Sequence, residues 1–191
     1  ATPQLDKQTL LTELNLCFNP DDPLLVIIQH VISSEINHAY DQMKETLTAI
    51  NELGINSVVI YPNSDAGSFE MIRCIQEFSD SKHITIRKNL PRIQFVNLLR
   101  HAACLVGNSS AGILEAPALK LPVVNIGNRQ KGRLHAENVR FVEHNKIDII
   151  DAVRDAVLNA ERIQEVRNCS NPYGSGDSST KIVKILHDLE I

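Results

Sequence analysis

The sequence predicts an α/β protein built on a doubly wound, Rossmann-like parallel sheet, and three observations carry that prediction. Short apolar runs alternate with stretches of helical period along most of the chain, a pattern that right-handed crossovers fold into a parallel sheet. The first run, LLVIIQ at 24–29, is continuously apolar, as in a strand covered on both faces. Polar residues suited to an anion follow the strand-like runs, whereas the opposite loops, such as ELGIN and ALKLP, hold ordinary helix stops and turns.

The elements follow in order. After 24–29, Ile36, Tyr40, Met43, Leu47 and Ile50 recur at spacings of four, three, four and three, which is one face of a helix, and Gly54 is a suitable stop. SVVIY at 57–61 is the second strand and 66–78 the next helix. HITIR (83–87), a helix over 92–101, CLVG (104–107), a helix from about Ala111 and PVVNIG (122–127) continue the alternation. A short strand at VRFVE (139–143), a helix over 148–160, the polar loop NPYGSGDSS and a terminal helix complete it. The chain opens on Ala1 and runs almost directly into a helical pattern, so it is read as processed or as an excerpt of a longer protein.

At 191 residues, 43% hydrophobic and 22% charged, the composition is that of a globular protein with a substantial core. A net charge of −4 argues against a general nucleic-acid or membrane-surface binder. No apolar run approaches the roughly 20 residues of a membrane span. Cys17, Cys74, Cys104 and Cys169 form no metal-ligand or redox spacing and read as reduced thiols of a cytoplasmic protein.

Ligands of parallel sheets bind beyond the carboxyl ends of the strands, which turns the loops into one candidate site. In GNSSAG, Ser109 and Ser110 stand where a strand meets a helix. Unpaired N–H groups and partial positive charge favour an anion there, although one serine is equally an N-cap. Neither the Walker nor the dinucleotide glycine spacing is present. Glu115, one turn further on, could accept hydrogen bonds from ribose hydroxyls or be a solvated carboxylate. NRQKGR offers Arg129, Lys131 and Arg133; a guanidinium fork suits phosphate, and Arg129 is nearest the strand end. His30 directly follows the first strand and could move a proton or pair with phosphate, or be structural. YPNSDAGS is rich in turn formers and places Asn63 on the same edge.

Together, PNSDAGS, GNSSAGILEAP, PVVNIGNRQKGR and NPYGSGDSS resemble the hydrolysing UDP-N-acetylglucosamine 2-epimerases of sialic-acid synthesis, from about Leu24 to the C-terminus. The resemblance implies a glycosyltransferase-B-like architecture of two Rossmann-like halves, of which residues 1–191 would be the C-terminal, nucleotide-binding half. It implies conversion of UDP-N-acetylglucosamine to N-acetylmannosamine and UDP, by elimination of UDP across C1 and C2 and addition of water to the glycal. His30 then matches the cleft histidine, Asn63 and Ser68 the PNxDAGS loop, and Ser109 and Ser110 the pyrophosphate binders. Glu115 matches the ribose acceptor and Arg129 a phosphate-side arginine. No cofactor or metal is implied.

The family's proton-abstracting carboxylates belong to the N-terminal half, so this chain alone is expected to be inactive, with a homo-oligomer formed by the full-length enzyme. Two positions depart from the pattern: Val31 stands where a proline is frequent, and Phe69 where animal relatives that bind a feedback inhibitor have lysine. Feedback by a sialic-acid nucleotide is therefore not expected. Three alternatives stay open: an epimerase of a UDP-diacetamido sugar or of GDP-N-acetylglucosamine, the C-terminal domain of a UDP-sugar glycosyltransferase, and a free-standing nucleotide-binding module without chemistry.

Overall fold

Each strand-like run becomes a strand because its side chains find apolar cover on both sides. The computed structural model describes residues 3–174 and 176–189. β1 (Leu24–Ile28) sends Leu25 and Ile27 to one face and Leu24, Val26 and Ile28 to the other, all buried. β2 (Asn56–Ile60), β3 (Ile84–Arg87), β4 (Cys104–Gly107), β5 (Val123–Ile126) and β6 (Val139–Val142) complete a six-stranded sheet of order β3-β2-β1-β4-β5-β6. Every neighbouring pair is parallel. Strand order therefore reverses between β1 and β4, the topological switch point where such sheets bind ligands.

Helices cover both faces. On one lie α2 (Ala39–Leu53), α3 (Ser68–Glu77) and α6 (Lys146–Leu158). Met43, Leu47 and Ile50 of α2 are fully buried against Leu25, Ile27 and Val59, each contributing about 1.5–3 kcal/mol by leaving water. On the other face lie α1 (Lys7–Glu13), α4 (Arg92–His101) and α5 (Ala111–Leu114), with Leu10, Leu11, Leu98, Leu99 and Ile113 packed on Val26, Val58 and Leu105. Asn97 of α4 holds the N-terminal segment by accepting from Leu5 N–H and donating to the Pro3 carbonyl.

Three details differ from the sequence expectation. The long helix after β1 opens with a 3-10 turn over Ser33–His38, and α2 proper begins at Ala39, ending at Gly54. The helix after β4 is a single turn followed by a 3-10 turn at Ala116–Leu119, because Pro117 has no N–H to continue an α ladder. A further helix, α7 (Ala160–Asn168), follows α6, with Asn159 accepting hydrogen bonds from the N–H groups of Glu161 and Arg162. The terminal helix α8 (Ser178–His187) follows the polar loop, within which Ser175 lies outside the described residues. No helix among the described residues is long and apolar enough to cross a membrane.

Candidate functional site

At the switch point the chain ends of β1 and β4 are tied by a side chain that the sequence did not single out. Asn108 is 1% exposed. Its Oδ1 accepts from His30 N–H at 2.7 Å and its Nδ2 donates to the His30 carbonyl at 2.9 Å. The side chain thereby mimics one more step of the sheet ladder and fixes the backbone of His30. Gly107, immediately before it, is required by space: with φ +127, an added Cβ would stand 2.1 Å from the Ile28 carbonyl oxygen.

The loop after β2 meets His30 from the other side. Asn63 N–H donates to His30 Nδ1 at 3.1 Å, so Nδ1 acts as acceptor and the neutral ring carries its proton on Nε2. The Asn63 side chain turns to Asp65, donating to Oδ2 at 2.7 Å. Burial lowers the His30 pKa from the usual histidine value, the Arg129 charge lowers it further, and Asp65 partly opposes both. His30 is thus a neutral hydrogen-bond donor near pH 7.

The loop after β5 supplies the cation. Arg129 Nη1 donates to the Asn108 carbonyl at 3.2 Å, and buried Gln130 donates to the same oxygen at 2.9 Å. Arg133 donates to Gln130 Oε1 and so braces it, while Lys131 faces a separate cavity of about 590 Å³ shared with His135, Arg140, Asp148 and Asp151. Of the three cations in NRQKGR, Arg129 is therefore the one bonded directly to Asn108, with Arg133 reaching it through Gln130.

The serine pair divides. Ser109 Oγ accepts from Ala111 N–H at 3.3 Å, a local cap, whereas the Ser110 side chain makes no capping bond. Both are half-buried beside Asn108. Because α5 is only four residues long, its dipole is small; attraction for an anion rests on Arg129, the Ser110 hydroxyl and neutral His30. Glu115 sits half-buried at the junction of α5 with the 3-10 turn, its carboxylate without a hydrogen bond among the described residues. Ser68 opens α3, its N–H donating to the carbonyl of Asp65, the residue whose carboxylate holds Asn63, and no hydrogen bond among the described residues joins Ser68 to His30 directly.

The structure thus joins His30 to Arg129 through Asn108 and to Asn63 directly, in one hydrogen-bonded unit, with Ser109 and Ser110 next in the chain. Asn108 and Gln130 were missed, since each acts on partners distant in sequence. A faint signal existed for Asn108 in its position between a strand-ending glycine and two serines.

A doubly wound parallel sheet with a cation, a neutral imidazole and a hydroxyl at its switch point defines an α/β domain whose candidate site has the chemistry to meet an anion. Comparison then specifies the family: the UDP-N-acetylglucosamine 2-epimerase family model matches residues 3–187, and the chain belongs to that family. A Legionella pneumophila UDP-N,N'-diacetylbacillosamine 2-epimerase (hydrolyzing) is 32% identical over 174 residues, 91% of this chain and 45% of the relative. The UDP-N-acetylglucosamine 2-epimerase of Neisseria meningitidis serogroup B is 31% identical over 130 residues, 66% of this chain and 33% of the relative. The chain spans less than half the length of either. Among solved structures, the Neisseria meningitidis UDP-GlcNAc 2-epimerase bound to UDP-GlcNAc matches with TM-score 0.79 at 19% identity, covering 96% of this chain and 49% of that one. The fold is thus that of one half of the glycosyltransferase-B-like epimerases.

Proposed function

We propose that this chain is the nucleotide-binding half of a hydrolysing sugar-nucleotide 2-epimerase, holding the UDP moiety of UDP-N-acetylglucosamine during its conversion to N-acetylmannosamine and UDP. The observation that carries the reading is the Arg129–Asn108–His30 unit, in which one buried asparagine ties the cation to the main chain of the histidine. Arg129 and the Ser110 hydroxyl meet the diphosphate, with Ser109 shaping the turn beside it, and Asn63 and Ser68 build the wall next to His30. Glu115 accepts from the ribose hydroxyls. His30, neutral with its proton on Nε2, donates to the phosphate oxygen on which charge grows as the C1–O bond breaks. The base that removes the C2 proton comes from a second half, which closes over this edge and assembles with it in an oligomer of the complete enzyme. In this reading the chain alone binds UDP weakly and does not turn over, and the enzyme works in the cytoplasm.

Calorimetric titration of the chain with UDP, UMP, uridine and inorganic phosphate tests the assignment. UDP is expected to bind, and more tightly than UMP. No binding of UDP at about millimolar concentration, some 4 kcal/mol, would count against the site. UMP binding as tightly as UDP would remove the diphosphate role.

A second reading within the family has its own support. The Legionella relative, similar over 91% of this chain, is named for a diacetamido sugar nucleotide. Product analysis of the complete enzyme on both UDP-sugars decides between them; release of the diacetamido sugar alone would replace N-acetylglucosamine in the proposal.

A further inference from the structure

His144 plays no part in the reading above, yet its surroundings tie it to the same edge. After β6, Glu143 and His144 precede Asn145, whose side chain caps α6. The imidazole lies against Gly127: a Cβ added there would stand 2.4 Å from Nε2 and 3.1 Å from Cδ2. Both ring nitrogens are shut off from solvent, and neither has a hydrogen-bond partner among the described residues. Such unpaired buried groups are costly and uncommon.

Gly127 opens the loop that carries Asn128 and Arg129, and its N–H donates to the Val142 carbonyl. Asn128 Nδ2 donates to Glu35 Oε1 at 2.9 Å, while Gln42 Nε2 donates to Glu35 Oε2 at 2.6 Å. Glu35 therefore links the segment after β1 to the loop after β5, spanning the switch point. The charged groups that act on His144 are Glu35, from the 3-10 turn before α2, and Glu143, beside it at the end of β6. Both favour a protonated ring; burial outweighs them and keeps it neutral near pH 7.

We propose that His144 is a positioning residue for the anion-binding loop: beneath Gly127 its neutral ring keeps Asn128 on Glu35 and Arg129 at the ligand edge, and taking up a proton draws Glu35 away from Asn128. The consequence for ligand rests on the reading of that edge as the diphosphate site. A protonated ring presents two donors where no acceptor is engaged. Glu35 is the carboxylate within electrostatic reach on a neighbouring segment, and Gln42 and Asn128, which donate to it, are neutral amides. A charge-assisted bond outcompetes an amide for a carboxylate oxygen. Asn128 then loses its tether, and Arg129, the next residue, loses its fixed approach to the anion.

The test compares the parent with His144→Phe, which keeps a ring beneath Gly127 but does not titrate. UDP affinity is measured near pH 7.5 and near pH 5.5, either side of the ordinary histidine value. His30 and the diphosphate titrate in both proteins alike, so the difference between them belongs to His144. The parent is expected to lose about tenfold more affinity than the variant on acidification, the worth of one charge-assisted contact. Equal losses overturn the proposal. A second measurement needs no ligand: the Asn128 side-chain amide resonance is followed by NMR through the same range. It is expected to move with the His144 ring in the parent and to stay fixed in Glu35→Gln, which keeps an acceptor for Asn128 but lacks the charge. An Asn128 resonance that ignores the His144 titration in the parent overturns the proposal. If UDP binds at neither pH, the site reading fails and the amide measurement alone decides the role of His144.

Discussion

The main-chain N–H of Asn63 donates to Nδ1 of His30 at 3.1 Å, and this contact decides which proton the imidazole can offer. A backbone N–H cannot turn into an acceptor, so Nδ1 stays unprotonated while the contact lasts. Protonating the ring costs that bond as well as the burial and the nearby Arg129 charge. His30 is therefore built to donate from Nε2 as a neutral group, much as preorganised donors stabilise developing negative charge elsewhere.

His30→Asn removes this donor and leaves the cation in place. In the complete enzyme, turnover is expected to fall by about 10²–10⁴-fold, the range for a positioned proton-transfer or hydrogen-bonding group, while UDP affinity falls far less. Release of free N-acetylmannosamine measured beside UDP titration checks this. Normal turnover would make His30 structural; equal losses of binding and turnover would make it only a phosphate ligand.

Arg129 and Ser110 should differ in magnitude. Arg129→Ala deletes a charge-assisted contact and is expected to cost about 1.5–3 kcal/mol of UDP binding. Arg129→Lys recovers only part of it, since the fork and its bond to the Asn108 carbonyl are lost. Ser110→Ala removes a neutral donor worth about 0.5–1.5 kcal/mol. Calorimetry on the three variants checks the order; parent-like affinity in both alanine variants would reduce them to a surface charge and a turn residue.

Asn108 separates stability from binding. Asn108→Ala strips the partners from His30 N–H and carbonyl, about 1–3 kcal/mol for each group left unpaired. Asn108→Asp keeps the acceptor for His30 N–H but brings a negative charge to the anion edge beside Arg129. The alanine variant should therefore show the clear loss in urea unfolding, and the aspartate variant the sharper loss of UDP affinity. An aspartate variant that binds like the parent would leave Asn108 as a spacer.

How far the sequence showed these features depends on how local their causes are. LLVIIQ and the Met43–Leu47–Ile50 spacing announce β1 and α2, because burial on two faces or one stripe is written in neighbouring residues. Helix α7 was overlooked: it buries only Val166 and begins directly at Asn159, so it has neither apolar stripe nor separating loop. The helix after β4 looked longer than it is because GILEA has helical character, and Pro117 had the final word. Candidate loops were legible from the strand-end rule alone. What they hold together was not, because Asn108 meets His30 across 78 residues and Asn128 meets Glu35 across 93. Such pairs have no signature in a single chain read in order.

Two partly buried histidines set a pH dependence of stability. Burial lowers the pKa of both His30 and His144 from 6.5. The unfolded chain, with both near 6.5, then binds more protons than the folded one as pH falls below that value. Stability rises with pH wherever the unfolded state holds the extra protons. Its histidine part is thus fully present above 6.5 and is lost as pH falls through the lowered folded values. Asp6, held below 3.8 by its bonds to Thr9, contributes in the same sense, its part being lost as pH falls below that value. Urea unfolding near pH 7.5, 6.5 and 5.5 is expected to show midpoints falling across the lower interval. The double variant His30→Asn, His144→Phe should be less stable at neutral pH yet flatter across that interval. A parent curve as flat as the variant's would mean that neither ring is held neutral by the fold.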